Sequence, residues 1–287
     1  MLVALLLAML PAPSQAQDLD TAGITNTLGR GGQMLGGGVF KVAFPRKDLH
    51  VSIGDVVLKP GFALGSYAVF KQYANGTLMM GDLVLLTREV EPVMKALEEN
   101  GIEITALHNH LLGTSPPVWY MHYMGMGKAE KLAAILRGAL AHSNTPLGPA
   151  TAARAAAPPW FESVVEKSLG YHGAPSGGVL AISISRARDE TMDGMPIPPS
   201  MGTSEAFSFQ DGGHHQIATT GDFSLTAHEV MPVLRALRDH DIDVDALHMH
   251  MLDDTPHLFF MHFWAVGDPA TIAGGLRAAL SYVNVSR

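Results

Sequence analysis

Two homologous α+β domains, each a mainly antiparallel sheet with helices on one face and a β-α-β-β-α ending, are what the sequence predicts. Three observations carry the prediction. Shifted against itself by 140 residues, the chain aligns 81–140 with 221–280 without a gap, and 24 of the 60 positions are identical. Such self-similarity marks a duplication. Within each copy the apolar period switches between that of strands and that of helices. Between the copies, residues 143–159 read SNTPLGPATAARAAAPP, a Pro/Ala-rich stretch that suits a linker and no regular strand.

The elements follow in order. Val39 to Phe44 and Gly178 to Ile184 are β-like runs after glycine-rich turns, and Leu83 to Leu86 is a further short strand. From Thr87 to Asn100, Val90, Val93, Met94 and Leu97 recur at helical spacing, and Gly101 stands where a C-terminal cap is expected. Thr226-Ala227-His228-Glu229 is a capping-box pattern before the equivalent helix of the second copy. Ile102 to Leu112 and Val118 to Met124 read as paired strands, and Lys128 to His142 as a closing helix. Gly38-Val39 matches Gly178-Val179 and Arg46 matches Arg186 at the same offset, so each copy extends upstream. The expected organisation is a repeat domain over 22–143, a linker over 144–159 and a second repeat domain over 160–285.

Residues 1–16 open with ten almost wholly apolar residues and end in Pro11-Ala12-Pro13-Ser14-Gln15-Ala16. Despite the missing basic start, this predicts a signal peptide cut after Ala16, and hence a periplasmic or secreted protein with no membrane span once cleaved. Nineteen Lys+Arg against 27 Asp+Glu, a net charge of -8, leave no basic footprint for nucleic acid. The absence of cysteine excludes disulfides, thiolate metal sites and a cysteine nucleophile.

Chemistry concentrates in two matching strings, ALHNHLLGTSPPVWYMHYMG and ALHMHMLDDTPHLFFMHFWA. Each holds His-x-His and a third histidine twelve residues later. Alternate strand residues face one side, so His108 and His110 project together, about 7 Å apart. A hairpin centred on Ser115 sets His122 opposite His108 and Tyr120 opposite His110, so that three imidazoles converge; His248, His250 and His262 repeat the pattern, with Phe260 in place of the tyrosine. Three neutral imidazoles without a thiolate suit Zn(II) or Cu(II), one ion per repeat, with iron a weaker match. Repetition of the triad where other positions have diverged favours a site over buried sheet histidines.

Weaker candidates surround this pattern. Glu89 and Glu229 begin a helix, where capping is the commoner role and general base the alternative. Tyr120 carries a hydroxyl able to hydrogen-bond a water at the metal, which makes the first repeat the better catalytic candidate. Asp82 and Asp222 read equally as turn residues or as acceptors behind a ligand imidazole. Arg46 and Arg186 read as exposed strand-end arginines, with an anion grip as the alternative. Met121, Met249, Met251 and Met261 have the opposite parity from the histidines and are expected in the core. The unmatched histidines 214, 215, 228, 240 and 257 read as surface or loop residues.

The strings GDLVL…EVEPVMKAL…GIEITALHNHLL…YMHYMG and GDFSLTAHEV…ALHMHMLDDTPHLFFMHFWA resemble the LppY/LpqO-type family of exported bacterial proteins, over nearly the whole mature chain. The resemblance implies export and tandem duplication and supplies no reaction. This chain departs from the family in lacking a lipobox cysteine, so a lipid anchor does not carry over.

Three functional classes stand at this point. The first is a metal-dependent enzyme, with hydrolysis as the reaction and Glu89 or Glu229 as proton acceptor. The second is a non-catalytic zinc- or copper-binding protein of the envelope. The third is a metal-free module in which the histidine face, with Tyr120 and Trp264, holds a small molecule or a partner. The two triads are expected to be independent sites.

Overall fold

The computed structural model describes residues 18–149, 157–188 and 190–286. The expected signal peptide and the middle of the linker lie outside them. The first repeat runs α1 (Thr21–Leu28), β1 (Gln33–Leu35), β2 (Val39–Pro45), β3 (Ser52–Ile53), β4 (Val56–Val57) and α2 (Pro60–Ala63). It continues with β5 (Gly65–Tyr73), β6 (Gly76–Leu86), α3 (Thr87–Glu98), β7 (Glu103–His108), β8 (Thr114–Ser115), β9 (Val118–Gly127) and α4 (Ala129–Leu140). The second repeat begins with α5 (Glu162–Leu169), β10 (Ala174–Ser176), β11 (Val179–Ile184), β12 (Glu190–Met192) and β13 (Met195–Ile197). Then come β14 (Glu205–Gly213), β15 (Gln216–Thr226), α6 (Ala227–Arg238), β16 (Asp243–His248), β17 (Asp254–Thr255), β18 (Leu258–Gly267) and α7 (Pro269–Leu280).

Each repeat folds into a six-stranded antiparallel sheet, ordered β1-β2-β5-β6-β9-β7 in the first and β10-β11-β14-β15-β18-β16 in the second. Long helices cover one face. In the first repeat, Ile24 and Leu28 of α1, Val93 and Leu97 of α3, and Leu132 and Leu136 of α4 pack on Phe40, Val42, Phe44, Leu83, Leu85 and Met121 of the sheet. Alternation along β2 sends Phe40, Val42 and Phe44 to that core and leaves Lys41, Ala43 and Pro45 on the other side.

That other side is covered by the second repeat. Val84, Val118 and Tyr120 share a buried cluster with Val179 and Ala218, and Val39, Val69 and Met80 share another with Met192, Met201 and Met251. The result is four layers, helices, sheet, sheet, helices. Polar contacts pin the interface: Lys59 N and Gln210 Oε1 lie 2.9 Å apart, Gln210 Nε2 donates to the Val57 carbonyl, and Lys59 Nζ donates to the Gly178 carbonyl at 2.9 Å. Both faces of the central strands are therefore covered, which explains why β6 is buried along almost its whole length.

Arg46 and Arg186 are corrected by the structure. Neither is exposed. Arg46 is fully buried, donating to the Val84 carbonyl, to both oxygens of Glu89 and to Asp48; Arg186 donates to the Ser224 carbonyl and Glu229 and lies near Glu190 and Glu205. Each arginine ties a sheet edge to a helix start in its own repeat. The front of the linker is also fastened, because Arg30 donates to the carbonyls of Pro146 and Gly148. Among the described residues no helix is long and apolar enough to cross a membrane.

Removing one partner of a buried ion pair strands the other. Arg46→Ala is expected to cost about 3–5 kcal/mol in urea unfolding. A loss below about 1 kcal/mol would show that Glu89 and Asp48 are satisfied without the guanidinium.

Candidate metal centre

His108 ends β7, His122 lies on β9 and His110 stands two residues past the end of β7; His248, His262 and His250 repeat this around β16 and β18, and all six turn toward the other repeat. Their register differs from the expected one. His108 pairs with Tyr120 and Ala106 with His122, with a bulge between Ile104 and Ala106; His248 pairs with Phe260 and Ala246 with His262 in the same way. The reason lies in the connection after β7. The strand stops at His108, Thr114 and Ser115 pair with β3, and Asn109 Nδ2 closes the loop on the Val118 carbonyl at 2.8 Å. The turn is thereby centred one residue earlier, which moves each partner by two positions and leaves side-chain parity intact. All three histidines of each repeat still share a face.

The expectation of two separate triads is revised more deeply. His108 stacks on His248 with ring centroids 3.4 Å apart, His110 on His262 at 3.6 Å, and His122 on His250 at 3.9 Å. Every stack joins one repeat to the other. Tyr120 caps the series on His110 at 3.5 Å, and Phe260 caps it on His250 at 3.4 Å. The run Tyr120, His110, His262, His248, His108, His122, His250, Phe260 is symmetric about the His108–His248 stack, so a pseudo-twofold axis passes through the cluster. Six imidazoles form one centre.

Asp82 and Asp222 enter this centre and are not turn residues. Each sits in mid-strand, on β6 and β15, paired with His122 and His262 respectively. Asp222 Oδ1 lies 2.8 Å from His262 Nδ1, and Asp82 Oδ2 lies 3.8 Å from His110 Nε2. The repeated glycine before each has a steric cause: a Cβ on Gly81 would run into the Tyr67 carbonyl, and one on Gly221 into the Ala206 carbonyl.

Ligand atoms converge in three overlapping groups, with all members within 4.8 Å of one another. One is His108, His110, His248 and His262; another is Asp222, His248, His250 and His262; the third is Asp82, His110 and His122. The first draws on both repeats, while the other two stay within one repeat each.

Seven buried imidazole nitrogens, both of His108 and the Nε2 atoms of His110, His122, His248, His250 and His262, have no hydrogen-bond partner, and neither has Asp82 Oδ1. An unsatisfied buried polar atom costs about 1–3 kcal/mol, against a net stability of about 5–15 kcal/mol for a typical domain. Seven such atoms amount to the whole stability of a domain. Histidines serving only as core filling do not fit this arithmetic, whereas a cation bound by one lone pair from a ring removes that ring's share of the cost.

Electrostatics point the same way. Burial, with His248 and His262 close by, pushes the His108 imidazolium down to about 2, and burial with His262 lowers His248 to about 4. Burial also holds His110, His122 and His250 well below the ordinary histidine range. These five rings are neutral at physiological pH, the form that ligates a metal. Burial, then the neighbouring Asp222 charge, drives the Asp82 carboxyl well above the carboxylate range. Neutral imidazoles with carboxylates and no thiolate suit Zn(II) or Cu(II).

The remaining candidates are placed elsewhere or used differently. Glu89 accepts from Arg46, from Leu86 N at 2.9 Å and from Asn144 N at 3.1 Å; Glu229 accepts from Arg186, Thr226 N and Asn284 N. Burial alone would raise both acids, and these donors outweigh it and hold both below the usual range. Capping and ion pairing occupy them, and neither belongs to a converging group, so the general-base reading is corrected. The Tyr120 hydroxyl donates to the Ala63 carbonyl at 2.7 Å, which commits its proton to α2 instead of to the metal groups. Met121, Met251 and Met261 are buried, but Met249 is exposed beside His257 and does not join the core.

A cavity of about 410 Å³ reaches the centre from one side, where His110, His262, Asp82 and Asp222 form its floor. Lys41, Tyr67, Phe62 and Tyr120 contribute walls, together with the hydroxyl residues Ser66, Ser208 and Thr220. Sequence reasoning missed this set. The parity of β2 could have put Lys41 on the histidine side, but the opposite wall belongs to the other repeat and no local pattern announces it.

Comparison with known proteins adds a family. The model described as Domain of Unknown Function (DUF1259) matches twice, over residues 22–142 and 163–282. No curated protein matches the chain. A solved structure of a trimeric bacterial microcompartment shell protein, PduB, aligns at 11% identity over 88% of this chain and 89% of that one. Its TM-score of 0.21 is too low to carry a conclusion about fold or function.

Neutral buried histidines make the metal-free protein acid-labile. The unfolded chain takes up protons on histidine below about pH 6.5 and the folded one does not, so stability falls by up to about 1.4 kcal/mol per pH unit for each such ring. Asp82, Glu205 and Asp245, whose folded carboxyls are raised, act in the opposite sense and are outnumbered by the five histidines. The Tm of metal-free protein should drop steadily from about pH 7 to about pH 5, and less steeply in His108→Phe. A flat profile would mean that the cluster is protonated within the fold.

Proposed function

The chain belongs to the family described as Domain of Unknown Function (DUF1259), which it carries in tandem, and from that premise we propose that its two repeats together build one transition-metal centre acting on a small molecule in an exported protein. The observation that carries the reading is the set of seven partnerless buried imidazole nitrogens, supplied by both repeats around one pseudo-twofold axis. The residues fit Zn(II) or Cu(II): His108, His110, His248 and His262 in the middle, with Asp82, His110 and His122 on one flank and Asp222, His248, His250 and His262 on the other. Because the groups share members, occupancy of one changes the others. Bound there, the metal supplies Lewis acidity, and hydrolysis of an ester or amide is the reaction class that best uses it. The chain's own residues hold neutral imidazoles in place by stacking, exclude water on the closed side, and leave a cavity on the other.

A second reading, metal storage or delivery in the envelope, is favoured by one feature. Four histidines in the middle group would saturate a tetrahedral ion and leave no open position. The cavity that ends on His110 and His262 favours chemistry over storage.

Metal-free protein reconstituted with Zn(II) or Cu(II) is expected to take up roughly one to two equivalents per chain. His248→Ala should weaken retention by the first-repeat ligands as well as by its own, and His108→Ala should do the converse. Less than about half an equivalent under metal excess, with the fold intact, would remove the metal reading. Clean loss of one equivalent with the other unchanged would restore two independent sites.

A further inference from the structure

Of the described residues, one lysine, Lys41, and no arginine line the cavity leading to the histidine cluster. Lys41 points from β2 into the space between the sheets, on the side of the strand away from Phe40 and Val42. Among the described residues its ammonium has no hydrogen-bond or ion-pair partner. It lies over the face of Tyr67, with Nζ 4.3 Å from the ring centroid. A cation over an aromatic face is stabilised by about 0.5–2 kcal/mol, less than a charge-assisted hydrogen bond to an anion within the same low-dielectric space. The position is particular to the first repeat, because the residue 140 places later is Ala181.

We propose that Lys41 anchors the carboxylate of a small organic acid whose opposite end reaches the His110–His262 side of the centre. Charge sets the choice of anion. A single ammonium neutralises one unit of negative charge, so it matches a monoanion better than the greater charge of a phosphate. Shape sets the rest: Pro60, Phe62 and Tyr120 give apolar walls for an organic body, and Ser208 and Thr220 add hydroxyl groups to the lining. A space of about 410 Å³ falls within the range of small-molecule sites. Burial lowers the Lys41 pKa and the Asp82 charge recovers only part of that, as expected of a cation awaiting a counter-charge. The far end of this assignment rests on the metal reading, whereas the anchor does not.

Benzoate and hexanoate, with their neutral amides as controls, probe the anchor by calorimetric titration of metal-free and Zn(II)-loaded protein. Both acids should bind wild type and Lys41→Arg, and bind Lys41→Met at least about tenfold more weakly, with zinc equivalents equal in all three. The amides should match the acids only in Lys41→Met. Equal affinity of the acids for wild type and Lys41→Met overturns the anchor, as do amides binding wild type as tightly as the acids. Inorganic phosphate binding more tightly than either acid overturns the carboxylate assignment. If Lys41→Met does not fold, the Lys41 Nζ resonance of labelled wild type decides: it moves on addition of benzoate, and an unmoved signal at saturating benzoate refutes the contact. Loss of zinc binding with Lys41-dependent acid binding retained removes the metal reading alone, and the reverse result removes the anchor alone.

Discussion

The stacking of imidazole on imidazole across the two repeats is the contact around which the molecule is arranged. His108 and His248 meet at 3.4 Å on the pseudo-twofold axis, and the other two stacks are related to each other by that axis. Close approach of this kind requires neutral rings, since two imidazoliums so near one another in a buried site repel strongly. It also requires the sheets to pack face to face. Each sheet therefore needs one helix-covered face and one that packs against its counterpart, where Val84, Val118 and Tyr120 lie beside the histidines and Lys41, Asp82 and Asp222 line the cavity between the sheets.

How much of this the sequence could reveal is decided by range. Side-chain parity is local: it put His108, His110 and His122 on one strand face, and that grouping survived a register shift of two residues because two is the period of a strand. The exact cross-strand partners were not legible, since they depend on Thr114 and Ser115 leaving the hairpin to pair with β3. Docking of one repeat on the other was not read either, although a trace of it was present. The run from Leu78 to Leu86 is apolar at both parities apart from Asp82, the mark of a strand covered on both faces, and it extends well upstream of the short strand Leu83 to Leu86.

Arg46 and Arg186 show a different limit. A strand-end arginine is ordinarily exposed, and nothing local distinguishes these two until the helix start carrying Glu89 or Glu229 is folded back over them. The same fold withdraws both glutamates from chemistry. A carboxylate that accepts from a guanidinium and from backbone amides has its lone pairs occupied and its pKa held down, so it is a poor proton acceptor whatever its position in the sequence.

Duplication explains how a symmetric centre comes to have an asymmetric approach. Stacking constrains all six histidines together, because a change in one ring removes a contact from the opposite repeat. The walls are under no such constraint. Lys41 corresponds to Ala181, Tyr67 to Phe207 and Tyr120 to Phe260, so at these three positions the polar member stands on the first repeat, while Ser208 and Thr220 of the second repeat align with Ala68 and Met80. The described cavity opens where the polar members lie. A pair of identical repeats would offer two equivalent approaches to the axis; divergence of the walls with the histidines retained makes the approach lined by Lys41, Tyr67 and Tyr120 chemically unlike its symmetry counterpart.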